Sequence, residues 1–266
     1  MDDSELFYYM IGRASGGAGG TGTAHVLRGT DEPTAHIGEN GDIYLQYQSP
    51  RGSLPSGYTR LTTIISSGAQ YIDSGVKAKS DVSVEIEFSD YSLSGDTFLF
   101  GFRPGSWNGL GVNNGGSGSM WCYYGGNGNA GVLTKMTAGT VKLTNGTTIV
   151  NGVTAKTFTP PSFSYDYNIY IFAANNNGTV GYGAKYTFIE CKMWEDDVLI
   201  RDFVPAERDS DNAIGLYDTV ENTFYPNQGS GNFVAGNAEY AILSASAKVN
   251  NTWQDLIGTD IQDINL

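Results

Sequence analysis

The sequence predicts an all-β protein built as a two-sheet antiparallel sandwich. Three observations point there. The chain carries 36 Gly and 17 Tyr yet only 16% charged residues, a composition suited to short strands joined by tight turns. From Tyr58 to about residue 236, strand-like runs recur every 8–14 residues with turn residues between them. No helical pattern interrupts the series, which excludes a parallel α/β sheet.

The start of the chain is different. Residues 1–13 predict a short amphipathic helix, capped by Asp3 or Ser4, with Leu6, Phe7, Met10 and Ile11 on one apolar face. A three-turn helix does not persist alone in water. Its stripe needs a cover: a copy of itself, another protein, or the domain behind it. Residues 14–24 are glycine-rich and read as a flexible linker. In residues 25–48, Val26-Leu27 is a short strand, turns fall at Thr30–Pro33 and Asn40-Gly41-Asp42, and Ile43–Tyr47 alternates as a strand does. Residues 49–57 form a second linker.

The expected strands of the main domain, residues 57–236, are 60–66, 69–73, 82–89, 97–103, 110–113, 120–124, 131–136, 141–144, 148–150, 155–158, 167–174, 184–194, 198–205, 213–218 and 222–225. Asn145-Gly146 is the strongest hairpin signal, because Asn-Gly favours the positive φ of a type I′ turn. Asn175–Gly178 supplies another. A run of this length exceeds an immunoglobulin domain and suits a jelly-roll sandwich. The tail, residues 238–266, holds two short strands and an end segment.

Charge removes several functions. The formal net charge is -13, the wrong sign for a phosphate-binding surface. Cys122 and Cys191 make no disulfide scaffold, and read as two buried thiols. His25 and His36 make no His-rich metal site. No apolar stretch is long enough to span a bilayer, and the acidic start lacks the basic n-region of a secretory signal.

Two stretches carry a family resemblance. Residues 58–75, and Val198–Ala206 followed by Ile214–Asp218, Phe224-Tyr225 and Gly231–Gly236, resemble the opening and closing parts of the laminin-G-like (concanavalin A-like) jelly roll. That domain occurs in phage tail proteins and in surface proteins of gut bacteria. The flanks are similar to segments of tail proteins from phages of Gram-positive hosts: the acidic-apolar start, the glycine run, Gly38–Tyr47 and Ala247–Ile257. The resemblance implies a virion protein, a tail or fibre component, displaying a lectin-like domain toward a host-surface glycan or protein. It implies localisation in the virion and contact with other virion proteins through the N-terminal helix. A homo-oligomer follows from the same likeness, a trimer being common in fibres. A bacterial cell-surface adhesion protein and a virion protein without ligand are the other readings. We expect residues 25–48 and 238–266 to pair as one small β module, with the jelly roll inserted between its halves.

The chemistry follows from these placements. Glucanases of the same fold place acidic residues alternately on one strand, and Val84–Asp90 comes near that pattern with Glu85 and Glu87. The complete alternation of apolar Val82, Val84, Ile86 and Phe88 explains both glutamates as solvent-facing, so no enzyme is expected. Asp209, Asp211 and Asn212 offer the hard oxygen ligands that Ca²⁺ prefers, although the stretch is no EF-hand and reads first as a solvated turn; no other cofactor is implied. Carbohydrate binding rests on residues 105–131. There Trp107, Trp121, Tyr123 and Tyr124 can stack on sugar faces, and Asn113, Asn114, Asn127 and Asn129 can bond hydroxyls. The alternative is that these aromatics are core.

Overall fold

The computed structural model describes residues 26–29, 33–36, 39–40, 42–48, 54–105, 109–115, 119–126, 129–236 and 241–255. The expected helix with Leu6, Phe7, Met10 and Ile11, the glycine linker, His25, Trp107 and Asn127 lie outside them. All regular structure among the described residues is β-strand. The chain divides into two compact units, Met1–Ser53 with Ala238–Leu266, and Leu54–Asn237.

The first unit is a four-stranded sheet in the order Val26–Gly29, Ile43–Gln48, Ala241–Val249, Thr252–Asp255. The first pair is parallel and the others antiparallel. Ile43 stands opposite Ala247 and Leu45 opposite Ala245, so segments from the two ends of the sequence share one ladder. Asn250 and Asn251 both adopt positive φ, 52° and 62°. Such values close a two-residue hairpin without splaying its strands. Asp42 accepts the Glu39 amide at 2.8 Å on its carboxylate and the Lys248 amide at 2.9 Å on its carbonyl. The buried Lys248 ammonium donates to the Ala35 carbonyl at 2.8 Å.

The second unit is a β-sandwich. Its smaller sheet runs Gly131–Thr134, Ser119–Tyr124, Leu110–Gly115, Asp96–Phe102, Ser164–Ile171, Ile72–Lys79. A short branch, Ala174–Asn176 paired with Thr179–Gly181, lies parallel to Asp96–Phe102. The larger sheet runs Val153–Thr157, Thr147–Val150, Gly139–Leu143, Val82–Ser89, Thr187–Glu195, Val198–Arg208, Ala213–Asp218, Thr223–Pro226. Tyr58–Arg60, Ile64–Ile65 and Val234–Ala235 attach to it.

Period-two patterning builds the core. Val82, Val84, Ile86 and Phe88 from the larger sheet join Leu110, Val112, Met120, Cys122 and Tyr124 from the smaller in one buried cluster. Each of the Val, Ile, Leu, Met and Phe side chains contributes about 1.5–3 kcal/mol by leaving water. The Tyr124 hydroxyl donates to the Ser80 and Val82 carbonyls at 2.9 and 2.8 Å, which anchors the smaller sheet to the start of the Val82–Ser89 strand of the larger. Cys122 and Cys191 are both buried free thiols, one from each sheet.

The turns differ from expectation in one place. Gly139–Leu143 and Thr147–Val150 do pair as a hairpin, but only Gly146 of Asn145-Gly146 has positive φ, 116°. The connection is not type I′. Thr144 closes it instead, its amide donating to the Thr147 carbonyl at 2.9 Å and its hydroxyl meeting that of Thr147 at 2.6 Å. The turn with both central residues at positive φ is the next one, Asn151-Gly152, at 48° and 77°. Asn177-Gly178 is another such turn, at 52° and 86°.

Candidate functional site: an aromatic platform on the smaller sheet

The smaller sheet turns one face to the core and the other away from it. Along Leu110–Gly115, Leu110 and Val112 enter the core cluster, while Gly111, Asn113 and Gly115 alternate to the opposite face. On that face Phe98, Tyr123 and Ala174 are buried together, with Trp121 and Tyr182 packed half-buried against them. Glycines make this possible. A Cβ at Gly101 would lie 2.9 Å from Phe98 Cδ1, and one at Gly115 would lie 2.5 Å from Trp121 Cδ1. The rings therefore rest directly on bare backbone.

Phe98 lies nearly parallel to Tyr123, with centroids 6.2 Å apart, and tilted against Tyr182 at 5.7 Å. Tyr182 holds a left-handed backbone, φ 57°, unfavourable for a bulky side chain. Its carbonyl accepts the Phe98 amide at 2.9 Å, which pins it there. The Arg103 guanidinium sits 4.3 Å from the Tyr182 ring centroid and faces Asp96, with Nη1 at 3.6 Å from Oδ2. The other Asp96 oxygen accepts Nδ2 of Asn113 at 2.6 Å. Burial pushes the Tyr123 hydroxyl up to about 12, with the Asp96 carboxylate adding to it and Arg103 opposing.

The residues expected to bind sugar separate here. Trp121 and Tyr123 lie on the platform, Trp121 half-buried and Tyr123 buried beneath its neighbours. Tyr124 belongs to the core. Asn113 and Asn114 correct the expectation: both are fully buried, with amide donors engaged by Asp96 and by the Gly95 carbonyl at 2.9 Å. Neither reaches a ligand hydroxyl; Asn113 positions Asp96 instead. Asn129 clasps Tyr124, accepting its amide at 3.2 Å and donating to its carbonyl at 3.0 Å. Sequence reasoning missed Asp96, Phe98, Arg103 and Tyr182. The available signals were Arg103 closing an apolar strand and Tyr182 flanked by Gly181 and Gly183.

The acidic turn also reads differently. Arg208 donates to both Asp211 oxygens at 2.9 and 2.6 Å and holds that carboxyl below its usual range. Asp209 accepts the Thr59 hydroxyl at 3.1 Å, and Asn212 sits at φ 54°. Of the three residues expected to hold Ca²⁺, Asp211 is thus paired with a guanidinium and Asp209 with a hydroxyl. Among the described residues, no three His, Cys, Asp or Glu side chains group to hold a metal.

Glu85 and Glu87 lie on the outer face of the larger sheet. Glu85 pairs with Lys142 at 3.3 Å, and Glu87 stands across the ladder from Glu190. A groove of about 480 Å³ runs past Lys77, Lys79, Glu195, Leu199, Arg201 and Glu221. Its cations are engaged: Lys77 by Asp166 at 2.9 Å, Lys79 by Glu195 at 2.5 Å, Arg201 by Glu221 at 2.5 Å. No protein-family model matches the chain, and no curated protein matches it; the platform stands on the chain's own geometry.

Proposed function

We propose that the chain is a non-enzymatic virion protein, a tail or fibre component of a phage of a Gram-positive host, whose sandwich is a lectin-like jelly roll that binds a host-surface glycan or protein. The virion assignment rests on the sequence resemblance of the flanking segments. The binding assignment is supported above all by one observation: half-buried Trp121 lies over Gly115, the ladder partner of Asp96, and half-buried Tyr182 lies against Arg103, which pairs with the Asp96 carboxylate. Aromatic faces take the apolar side of a sugar ring, and a fixed carboxylate accepts its hydroxyls. Strained backbone at Tyr182 supports the same reading, because such conformations concentrate at binding sites. Residues 1–13 serve assembly with other virion proteins or with copies of the chain.

A glycan array on the full chain tests this. The expected result is binding to a restricted set of glycans, weakened at least about tenfold (some 1.4 kcal/mol) by Trp121→Ala and retained by Trp194→Ala on the other sheet. Binding that ignores Trp121→Ala, or an array without a hit, removes the lectin assignment. Light scattering of the chain with and without residues 1–13 tests self-assembly separately; an unchanged mass removes association between copies through residues 1–13.

A further inference from the structure

We infer that the platform takes an uncharged pyranose with adjacent hydroxyls and rejects acidic glycans. This rests on the sugar-binding reading above. Among the described residues, Asp96 and Arg103 are charged groups placed against the rings, and they are unequally accessible. The Asp96 side chain is 35% exposed and that of Arg103 only 10%. Arg103 is held from behind by the Tyr182 ring at 4.3 Å and by Asp96 itself. It balances charge within the wall and does not reach outward to a ligand anion.

Asp96 presents the opposite case. Asn113 and Arg103 fix its two oxygens from the protein side, and an ionised carboxylate has about four lone-pair sites. Each oxygen therefore retains an outward acceptor position, and the two suit neighbouring hydroxyl donors. Asp96 stands opposite Gly115 in the ladder, and the Trp121 ring lies over that glycine. Acceptor and stacking surface thus flank the same glycine. A uronate or phosphate arriving here meets a like charge at contact range and a chain of net charge -13 beyond it.

The test titrates the full chain with neutral gluco-, galacto- and manno-oligosaccharides and with the matching uronic acid oligosaccharides, at low and high salt. The unmodified protein is expected to bind at least one neutral series, with its uronate counterpart about tenfold weaker or more at low salt. High salt narrows the gap by screening the distant charge, without closing it. In Asp96→Asn the gap closes to within about threefold. Uronates bound as tightly as neutral sugars by the unmodified protein overturn the inference and leave the lectin reading standing. Binding of neither class overturns both. Because the decisive comparison uses the unmodified chain, it survives poor folding of Asp96→Asn.

Discussion

Tyr182 sets local conformation against side-chain placement. A bulky residue at φ 57° costs about 1–2 kcal/mol relative to glycine, and the ring over Arg103 and against Phe98 offsets it. Replacing Tyr182 by Gly removes both terms. Urea titration is therefore expected to show Tyr182→Gly within about 1 kcal/mol of the parent, while sugar binding falls at least about tenfold. A loss near the roughly 3–5 kcal/mol of a deleted core aromatic would instead make the ring a packing element. The cysteines allow a second test at this scale. Burial pushes the Cys122 thiol up to about 12 and raises Cys191 as well, and only the thiolate attacks alkylating reagents. Iodoacetamide at mildly alkaline pH should label neither thiol in the native protein and both in urea. Labelling of native Cys122 would mean that the smaller sheet opens locally.

At the scale of elements, turns rather than strands separate what the sequence makes legible from what it does not. Val82–Ser89 has the bounds that alternation predicts, because a half-buried strand writes its two faces into every second residue. The same alternation cannot say which neighbouring groups cover the outward residues. Asn113 thus reads as ligand-facing, although Asp96 takes its amide, while Asn114 on the opposite face is held by the Gly95 carbonyl. Tyr182 joins Phe98 and Arg103 across about 80 residues of chain, through the Phe98 amide and the ring contacts, which sequence spacing does not carry. Turn chemistry is ambiguous in a similar way. Asn145-Gly146 and Asn151-Gly152 are the same dipeptide, and only the second adopts positive φ at both positions. Substitution checks the difference. Gly152 sits at φ 77°, and a Cβ added there would meet nothing within 4 Å, so Gly152→Ala tests backbone strain alone and should cost about 1–2 kcal/mol. Gly181 has equally open space without positive φ, and Gly181→Ala should be neutral or stabilising by up to about 1 kcal/mol. Equal effects in thermal melts would remove the conformational explanation.

Across the whole molecule, buried phenols and thiols make stability depend on alkaline pH. Tyr123 and Tyr225 are pushed up to about 12, chiefly by burial, and Cys122 to about 12 by the same cause. Tyr91, Tyr124 and Tyr186 are raised further, again by burial first. In the unfolded chain these groups release protons near their ordinary values, about 9 for the thiol and about 10 for the phenols. Below about pH 9 both states hold these protons, and the contribution to stability is complete. Between there and about 12 the unfolded state binds fewer protons than the native state, so unfolding becomes easier as pH rises. Each group then removes up to about 1.4 kcal/mol per pH unit until its native form also ionises. Because the groups lie in one packed sandwich, the losses should coincide in one cooperative transition. The urea midpoint is expected to be level from neutral pH to about 9 and to fall steeply above about 10, with tyrosinate absorbance from the buried set appearing together with unfolding. Tyrosinate from that set in a chain still folded by circular dichroism would show that water reaches the phenols in the native state, and that the core is looser than its packing implies.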